Sequence, residues 1–209
     1  MSRVSDTVRV PPMLVCIVAV VLASRPAHAQ TTVIEGFSLY THAGIGFVVD
    51  APDQLNGIGA FFFGPRLAGW GVYIDGKRSH ETPRDEAGFT RDITVAQAED
   101  QFGDRYVTSK AYWTAINVGV VRVVSGSLAV YGGAGYSEKR GFRRYYDESG
   151  ERGEFGTYWI EDPSDSGSRV NALFGGLFRA SRRLVLQFGV ESAPRGATVG
   201  LYMAQPFSW

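Results

Sequence analysis

The sequence predicts an all-β protein: an eight-stranded antiparallel up-and-down transmembrane β-barrel with short periplasmic turns and two long extracellular loops. Three observations lead to this prediction. Eight segments alternate apolar with small or polar residues at a period of two, short and long connections alternate between them, and the last segment ends on an aromatic residue. Successive side chains of a strand point to opposite faces, so each segment has one apolar and one small or polar face.

The N-terminal segment predicts export. Two arginines precede an apolar run over 13–23, and Ala27-His28-Ala29 has the small-x-small pattern of a cleavage site. The run is shorter than the roughly 18 apolar residues of a membrane-spanning helix, and no other segment reaches that length. We therefore expect a signal peptide over 1–29, cleaved near Ala29-Gln30, and one outer-membrane β-barrel domain over 30–209.

Composition excludes other classes of protein. The single cysteine, Cys16, lies in the signal segment, so the mature chain cannot contain a disulfide. Cleavage removes three arginines and one aspartate from 21 basic and 21 acidic residues, which leaves 18 and 20 and a net charge of −2. This balance predicts no nucleic-acid partner. Glycine is 26 of 209 residues and aromatics are 13%, against a usual glycine share of about 7%, and this combination favours a closed β-structure.

The joints between the segments support the strand count. The predicted strands cover about 36–49, 55–63, 67–76, 111–123, 127–139, 170–179, 184–191 and 197–209. The second, fourth and sixth connections are short and contain turn-forming residues: Gly64-Pro65-Arg66, Val124-Ser125-Gly126 and Ala180-Ser181-Arg182-Arg183. In an even-stranded barrel with periplasmic termini these three are the periplasmic turns. The long segments 77–110 and 140–169 are then the extracellular loops.

The small and polar face is predicted to line the interior. In the third strand Val72 and Ile74 share the apolar face, whereas Tyr73 and Asp75 share the other. Glycine pairs recur on this second face: Gly44 and Gly46, Gly57 and Gly59, Gly69 and Gly71, Gly133 and Gly135. Glycine weakens a strand, so such pairs are unusual on a solvated face. They fit a narrow interior in which small residues offset large ones such as Tyr131, and no open pore is expected.

Two segments carry a resemblance to a known family: Leu128-Ala-Val-Tyr-Gly-Gly-Ala-Gly-Tyr136 and the aromatic-ended stretch Val199 to Trp209. The chain resembles the small eight-stranded outer-membrane β-barrel domains of the OmpA-like and OmpX-like kind over essentially its whole mature length. The resemblance implies a bacterial outer-membrane location, with outer-membrane lipid and lipopolysaccharide as surroundings. Phe207 and Trp209 are then the assembly signal for the barrel-assembly machinery, with Trp in place of the commoner Phe. We expect a monomer.

No pattern predicts a catalytic, cofactor or metal site. His42 is predicted to face the interior, where Asp75 and Glu191 could orient it, but outer-membrane lipid A deacylases carry a His-x-Ser pair and this chain has His42-Ala43-Gly44. A plug of hydrogen bonds and ion pairs is the favoured interpretation of these residues. Asp162-Pro-Ser-Asp165 has no calcium-loop spacing and predicts a turn.

The segment 140–169 is the candidate surface-binding site. Aromatic stretches on both sides of a turn at 147–151 predict a hairpin that projects beyond the membrane. Tyr, Trp and Arg dominate interface hot spots, so the candidate contact residues are Arg140, Arg143, Arg144, Tyr145, Tyr146, Tyr158 and Trp159. The alternative for this segment is an aromatic belt with a solvated loop. The extracellular ligand is unknown.

The leading functional hypothesis is a non-enzymatic outer-membrane protein that contributes to envelope integrity or to surface interaction and adhesion through its loops. Two alternatives stay open. One is an outer-membrane lipid-modifying hydrolase with His42 as base, and the other is a soluble exported lipocalin-like barrel that binds a small apolar ligand.

Overall fold

The computed structural model describes residues 42–51, 53–64, 68–86, 88–151 and 156–206. The predicted signal peptide and its cleavage site, the beginning of the first predicted strand, Pro65 and Arg66, and the assembly signal at Phe207 and Trp209 lie outside the described residues.

The described residues form nine strands: β1 (His42–Ala51), β2 (Leu55–Phe63), β3 (Trp70–Ser79), β4 (Phe89–Thr90), β5 (Arg105–Val123), β6 (Leu128–Tyr146), β7 (Thr157–Arg179), β8 (Leu184–Ser192) and β9 (Arg195–Pro206). All except the short β4 pair antiparallel in the order β7-β6-β5-β3-β2-β1-β9-β8, and β8 pairs again with β7. The sheet is therefore closed, and the predicted eight-stranded up-and-down barrel is confirmed. We call the end with the short connections 124–127 and 180–183 the turn end, and the opposite end the loop end.

The strand register fixes the width and tilt of the barrel. We start at Ala51 of β1 and step from each residue to its pairing partner on the next strand. The path passes through β9, β8, β7, β6, β5, β3 and β2 and returns to β1 at Ala43. This displacement of eight residues, from 51 to 43, is the shear, and eight strands with that shear tilt by about 36° from the barrel axis. An interior of this width is filled by side chains.

Three strands are much longer than the sequence predicted. The loop predicted over 140–169 is wrong for most of its length, because β6 and β7 leave only 147–156 between them. The loop predicted over 77–110 shortens to 80–104, since β3 and β5 take both ends of it. The predicted projecting hairpin is present and includes a third strand, β5. These extensions carry polar residues on both faces, which hides the period-two pattern of a half-buried strand.

The predicted assignment of the two faces is confirmed. The outward side chains of the barrel form an apolar band with large exposed fractions: Ile45, Phe47, Ile58, Val72, Ile74, Ile116, Val118, Val120, Phe188, Val190, Val199, Leu201 and Met203. On the inward face Val48, Tyr73, Val121, Leu177 and Tyr202 have no exposed surface. An apolar band around a filled interior is the arrangement of a barrel that faces lipid, and the reverse of a lipocalin.

Large and small inward residues fit together as predicted. Tyr73 and Tyr131 stack with ring centroids 4.5 Å apart. The Tyr131 hydroxyl lies where a Cβ would be at Gly175 and at Gly189. These two glycines therefore make room for a tyrosine that crosses the barrel, and any larger residue at either position would displace it.

The segment between β3 and β5 contains two short helical elements. They are a 3-10 turn at Pro83–Asp85 and a π-helical turn at Gln97–Gln101. No helix in the described part of the chain is long and apolar enough to cross a membrane.

We expect Val72→Arg to destabilise the barrel in a lipid bilayer by about 2–4 kcal/mol, because it places a charge in the apolar band near its middle. Val124→Arg is the matched control, since Val124 is exposed at the turn end and the cost near an interface is about 0–1 kcal/mol. Denaturant titrations of refolding into phospholipid vesicles measure both. Equal costs at the two positions would show that the band does not face lipid.

Candidate functional site

A cluster of charged side chains lies inside the barrel toward the loop end. The Lys77 side chain is fully buried and its Nζ contacts Asp50 at 2.8 Å, Asp75 at 3.8 Å and Glu191. These carboxylates come from β1, β3 and β8. One cation therefore ties together strands from opposite parts of the sequence.

Amide and hydroxyl groups complete this cluster. The Asn117 side-chain amide donates to Asp75 at 2.8 Å, and that of Asn171 donates to Glu191 at 2.6 Å and to the Asn117 oxygen at 2.9 Å. The Thr198 hydroxyl donates to Glu191 at 3.2 Å. A buried ion pair is tolerated only when further hydrogen bonds satisfy its charged atoms. These donors supply them to Asp75 and Glu191, whereas Asp50 relies on its ion pair with Lys77.

A second polar layer lies next to the charged cluster on the turn side. Gln187 donates to the hydroxyls of Tyr73 and Tyr131 at 2.9 and 2.7 Å, and accepts from Tyr202 at 2.6 Å. The Tyr73 hydroxyl donates to Asp75 at 2.5 Å and so connects the two layers. Two connected polar layers thus cross the interior beside its apolar residues. The plug of hydrogen bonds and ion pairs that the sequence favoured includes Asp75 and Glu191, whereas His42 lies at the turn end.

The arrangement needed for a hydrolase is not formed in the described interior. His42 is the first residue of β1 and lies at the turn end, whereas Asp75 and Glu191 belong to the cluster around Lys77. The described groups that contact these two carboxylates are the lysine, two amides and two hydroxyls. Across the described ranges, no group of three or more His, Cys, Asp or Glu residues could hold a metal ion.

Beyond the barrel, β5, β6 and β7 continue as a three-stranded sheet, which we call the projecting sheet. Pairing of β3 with β5 ends at Arg78 and Thr114, and pairing of β7 with β8 ends at Leu173 and Glu191. Pairing of β6 with both neighbours continues to Tyr146, opposite Arg105 on one side and Thr157 on the other. Its two outer edges are therefore no longer closed by the barrel.

The segment 80–104 covers one of these edges. Its strand β4 pairs parallel with β7, Phe89 opposite Trp159 and Thr90 opposite Ile160. At the start of β4 the segment packs on the outward face, where Phe89 meets Phe142 edge-on with ring centroids 6.0 Å apart. The 80–104 segment thus reaches across the β7 edge as a short fourth strand.

After β4 the same segment packs on the other face of the projecting sheet. Ala98 is fully buried there against Tyr145, Tyr158 and Ile160, with Ile93 and Val95 partly buried beside them. This second apolar core is separate from the core of the barrel. It gives the projecting sheet packing of its own outside the membrane-facing band.

Three of the predicted contact residues are buried and anchor the segment 80–104. The Tyr145 hydroxyl donates to Glu99 at 2.6 Å, the Tyr158 hydroxyl to Asp104 at 2.5 Å, and the Trp159 indole to Glu86 at 2.8 Å. The prediction that Tyr145, Tyr158 and Trp159 contact a partner directly is therefore wrong, because their side chains are buried under this segment. The sequence showed aromatic residues in a projecting segment, but gave no sign that the preceding loop folds back over them.

The other four predicted contact residues are partly exposed. Arg143 contacts Glu99 at 3.1 Å and Asp162 at 2.6 Å. Arg140 bonds Glu138 at 2.7 Å, and Arg144 donates to the Thr157 hydroxyl at 2.7 Å. Tyr146 is 42% exposed, with the Arg105 guanidinium 5.6 Å from its ring centre. A binding role for these four stays a proposal.

Electrostatics tie the segment 80–104 to the sheet. Burial and the hydrogen bond to Glu99 raise the pKa of Tyr145 to about 12, so it stays a donor at neutral pH. Burial by itself would raise the pKa of Asp162, but hydrogen bonds from Ser164 and the charge of Arg143 lower it below its usual value. Asp162 is therefore ionised and fixes the arginine that reaches Glu99.

The opposite edge of the projecting sheet is open. Residues 105–109 of β5 are exposed, and over the described ranges no strand pairs with 105–112 on the side away from β6. A depression of about 300 Å³ lies across the projecting sheet from β5 to β7 and is lined by Tyr106, Ser109, Arg143, Asp162 and Asp165. The sequence predicted a projecting hairpin, but not that β5 joins it and provides this open edge.

Solved structures similar to this chain include an outer membrane protein and a β-barrel domain. The crystal structure of Ail, the attachment invasion locus protein of Yersinia pestis, shares 13% identity over 79% of this chain and 96% of that chain, with a TM-score of 0.41. The N-terminal β-barrel domain of Pseudomonas aeruginosa OprF shares 8% identity over 80% of this chain and 98% of that chain, with a TM-score of 0.40. No protein-family model matches, and a search of curated proteins finds no match.

The class of the protein follows from its own geometry. A closed sheet of eight antiparallel strands, with a polar filled interior and an apolar outer band, is the architecture of the small outer-membrane β-barrels of the OmpA-like and OmpX-like kind. Within that architecture, this chain is marked by the projecting sheet and by the segment that covers one edge of it.

We expect Lys77→Met to destabilise the folded barrel by about 3–5 kcal/mol, because it leaves three buried carboxylates without their cation. Lys110→Met is the matched control. Lys110 is 34% exposed and pairs with Glu81 and Glu86 on the projecting sheet, where loss of an ion pair costs less than about 1 kcal/mol. Unfolding titrations in lipid vesicles compare the two. Equal effects would show that the cluster does not stabilise the barrel.

Acid should loosen the projecting sheet through Asp162. Its folded pKa lies below the unfolded value of about 3.9, so its stabilisation is complete above that value and is lost as pH falls through the folded pKa. We expect Asp162→Asn to lower the hydrogen-exchange protection of 93–104 at neutral pH. On acidification from about pH 6 to about pH 2, this variant should lose less of that protection than the unchanged chain does.

Asp165→Asn is the control for this experiment. Asp165 is about half exposed and bonds Lys139 at 2.5 Å, so its loss should leave protection of 93–104 unchanged. An acid response in Asp162→Asn as large as in the unchanged chain would contradict the assignment.

Proposed function

We propose that the chain is a non-enzymatic outer-membrane β-barrel that presents its projecting sheet at the cell surface for attachment to an extracellular partner. The observation that carries this proposal is the contrast between the two edges of that sheet. β4 and the segment 80–104 cover the β7 edge, whereas residues 105–112 of β5 are left open.

An open edge matters because it exposes unpaired backbone N–H and C=O groups. Proteins usually cover such edges or interrupt them, since another chain can pair with them. Here the covering is applied to one edge only. A partner that offers an extended segment can add a strand along 105–112, with the backbone supplying affinity. The depression beside Tyr106 and Ser109 can receive one of its side chains and supply selectivity.

The orientation follows from the general topology of such barrels. Outer-membrane barrels have short periplasmic turns and longer extracellular connections. The connections 124–127 and 180–183 are short, and the projecting sheet lies at the other end of the barrel. The loop end is therefore assigned to the cell exterior. The predicted signal peptide over 1–29 supports the export that this requires.

The interior supports a structural role for the barrel itself. The two polar layers around Lys77 and Gln187 fill its cross-section, so we propose no conduction pathway and no reaction inside it. The barrel then serves as a rigid base that holds the projecting sheet away from the membrane, and this role fits the attachment surface proposed above.

The orientation is tested by inserting a short epitope tag between Ser149 and Gly150, at the tip between β6 and β7. Antibody should label this tag on intact cells, because the tip lies at the loop end. A tag between Ser125 and Gly126 is the matched control and should be labelled only after the envelope is opened. Labelling of the second tag alone would invert the topology.

The open edge is tested by Ser109→Pro and Lys110→Pro, with Lys110→Ala as the control for the charge. Successive N–H groups point to opposite edges of a strand, so one proline removes a bond to β6 and the other removes a donor from the open edge. The variant whose proline removes the donor from the open edge should still fold into the membrane. Cells that express it should no longer adhere to immobilised matrix proteins. Unchanged adhesion in both folded variants would exclude strand addition at β5.

A further inference from the structure

The outward face of the barrel carries a depression at Gly76, with a volume of about 530 Å³. Gly76 pairs with Ile58 on one side and with Ile116 on the other, so it interrupts an otherwise apolar row. Ile58 and Ile116 are 58% and 61% exposed and form the two walls. A Cβ at Gly76 would meet no atom within 4 Å, so the gap is open space.

The width of this depression matches one hydrocarbon chain. Its walls stand on β2 and β5, which are two strand spacings apart, or about 10 Å between backbones. Phe47 pairs with Ile58 and is 75% exposed, so it deepens one wall. Side chains from both walls occupy part of that distance, which leaves room for a single acyl chain.

The loop end of the same depression is polar. Asn56, Arg78 and Thr114 form the next row, paired side by side, and all three line the cavity together with the apolar walls. Arg78 is exposed and has no ion pair with any described residue, while its two neighbours add neutral hydrogen-bond donors. A cation between two neutral donors is suited to a single phosphate group.

A second, separately lined depression of about 500 Å³ lies farther toward the turn end, around Ala60 and Ala43, one and two strands away from Gly76. Each step along Gly76, Ala60 and Ala43 moves one strand sideways and two residues toward the turn end. Combined with a strand tilt of about 36°, these steps run close to the barrel axis. The groove is therefore aligned with the chains of a surrounding bilayer.

We propose that this groove is a specific lipid site, which seats one acyl chain of an anionic glycerophospholipid against Gly76 and its headgroup phosphate against Arg78, Asn56 and Thr114. The inference rests on the proposed function in one respect, namely that the chain spans a membrane. The inference adds selective binding of one class of lipid to that function. Insertion in a membrane by itself requires only an apolar band that contacts any lipid.

The charges at this level favour a lipid with one phosphate. The neighbouring outward cations are paired with carboxylates, Arg140 with Glu138 at 2.7 Å and Lys110 with Glu86 at 3.2 Å. Arg78 is thus a single cation over a groove one chain wide. A glycolipid with several phosphates and many chains, such as lipid A, would need a wider apolar surface and more unpaired cations.

The experiment uses the full mature chain refolded into vesicles of phosphatidylcholine in which about one lipid in ten is phosphatidylglycerol. Anionic lipid is kept at this low proportion so that non-specific charge attraction is weak. Heat-modifiable gel migration first confirms folding. Native mass spectrometry after gentle delipidation then measures phosphatidylglycerol retained relative to phosphatidylcholine. We expect retention of the anionic lipid, reduced about fivefold by Arg78→Gln, the loss of one charge-assisted contact.

Two further groove variants and two controls separate the groove from the general surface. Gly76→Leu fills the groove and should reduce retention of phosphatidylglycerol as much as Arg78→Gln does. Thr114→Val should give a smaller loss, and it serves as the groove variant if Gly76→Leu does not fold. Arg169→Gln and Ala134→Leu are matched controls, because both residues are exposed and neither lines the groove. Both controls should retain the lipid.

Several outcomes would overturn the inference. These are no preference for phosphatidylglycerol in the unchanged chain, an equal loss in Arg169→Gln, or displacement of the bound lipid by stoichiometric lipid A. Failure of the unchanged chain to show heat-modifiable folding in vesicles would instead contradict the proposed function, so the two failures are distinguishable.

Discussion

Backbone hydrogen bonding is the constraint on which the rest of this structure depends. Peptide groups that face an apolar surrounding have no water to bond, so the sheet has to close on itself, and closure over eight strands fixes a narrow interior. That width explains why Gly175 and Gly189 face Tyr131, and why its ring and that of Tyr73 stack across the barrel. It also explains why the charged groups inside are gathered around one lysine instead of lining a channel.

The same constraint is lifted beyond the apolar band, and the structure changes there. The projecting sheet stands outside the band, where water can satisfy unpaired groups, so it no longer has to close. Its β7 edge is nevertheless covered by β4 and its faces are packed by the segment 80–104. Within the described residues the β5 edge is left exposed, and this asymmetry is the reason for proposing an attachment surface there.

The barrel could be predicted from the sequence because each of its strands must alternate between two different surroundings. Val72 and Tyr73 differ in polarity for that reason, and the register of a strand cannot slip without exchanging its faces. The projecting sheet lacks such a contrast, so 140–146 and 157–169 gave no period-two signal and were predicted as loop. The roles of Tyr145, Tyr158 and Trp159 depend on residues 46 to 73 positions earlier in the chain, and contacts of that kind have no local signature.

The filled interior also decides where function can lie. Lys77 holds carboxylates from three strands and Gln187 holds three tyrosines, so a ligand inside would have to displace groups whose buried charges then lose their partners. Selective contacts are therefore confined to the outer surface, where two features depart from a uniform barrel. One is the open β5 edge above the apolar band, and the other is the groove at Gly76 within it. The first offers backbone groups and the second offers a cation, so the partners proposed for them differ in chemistry.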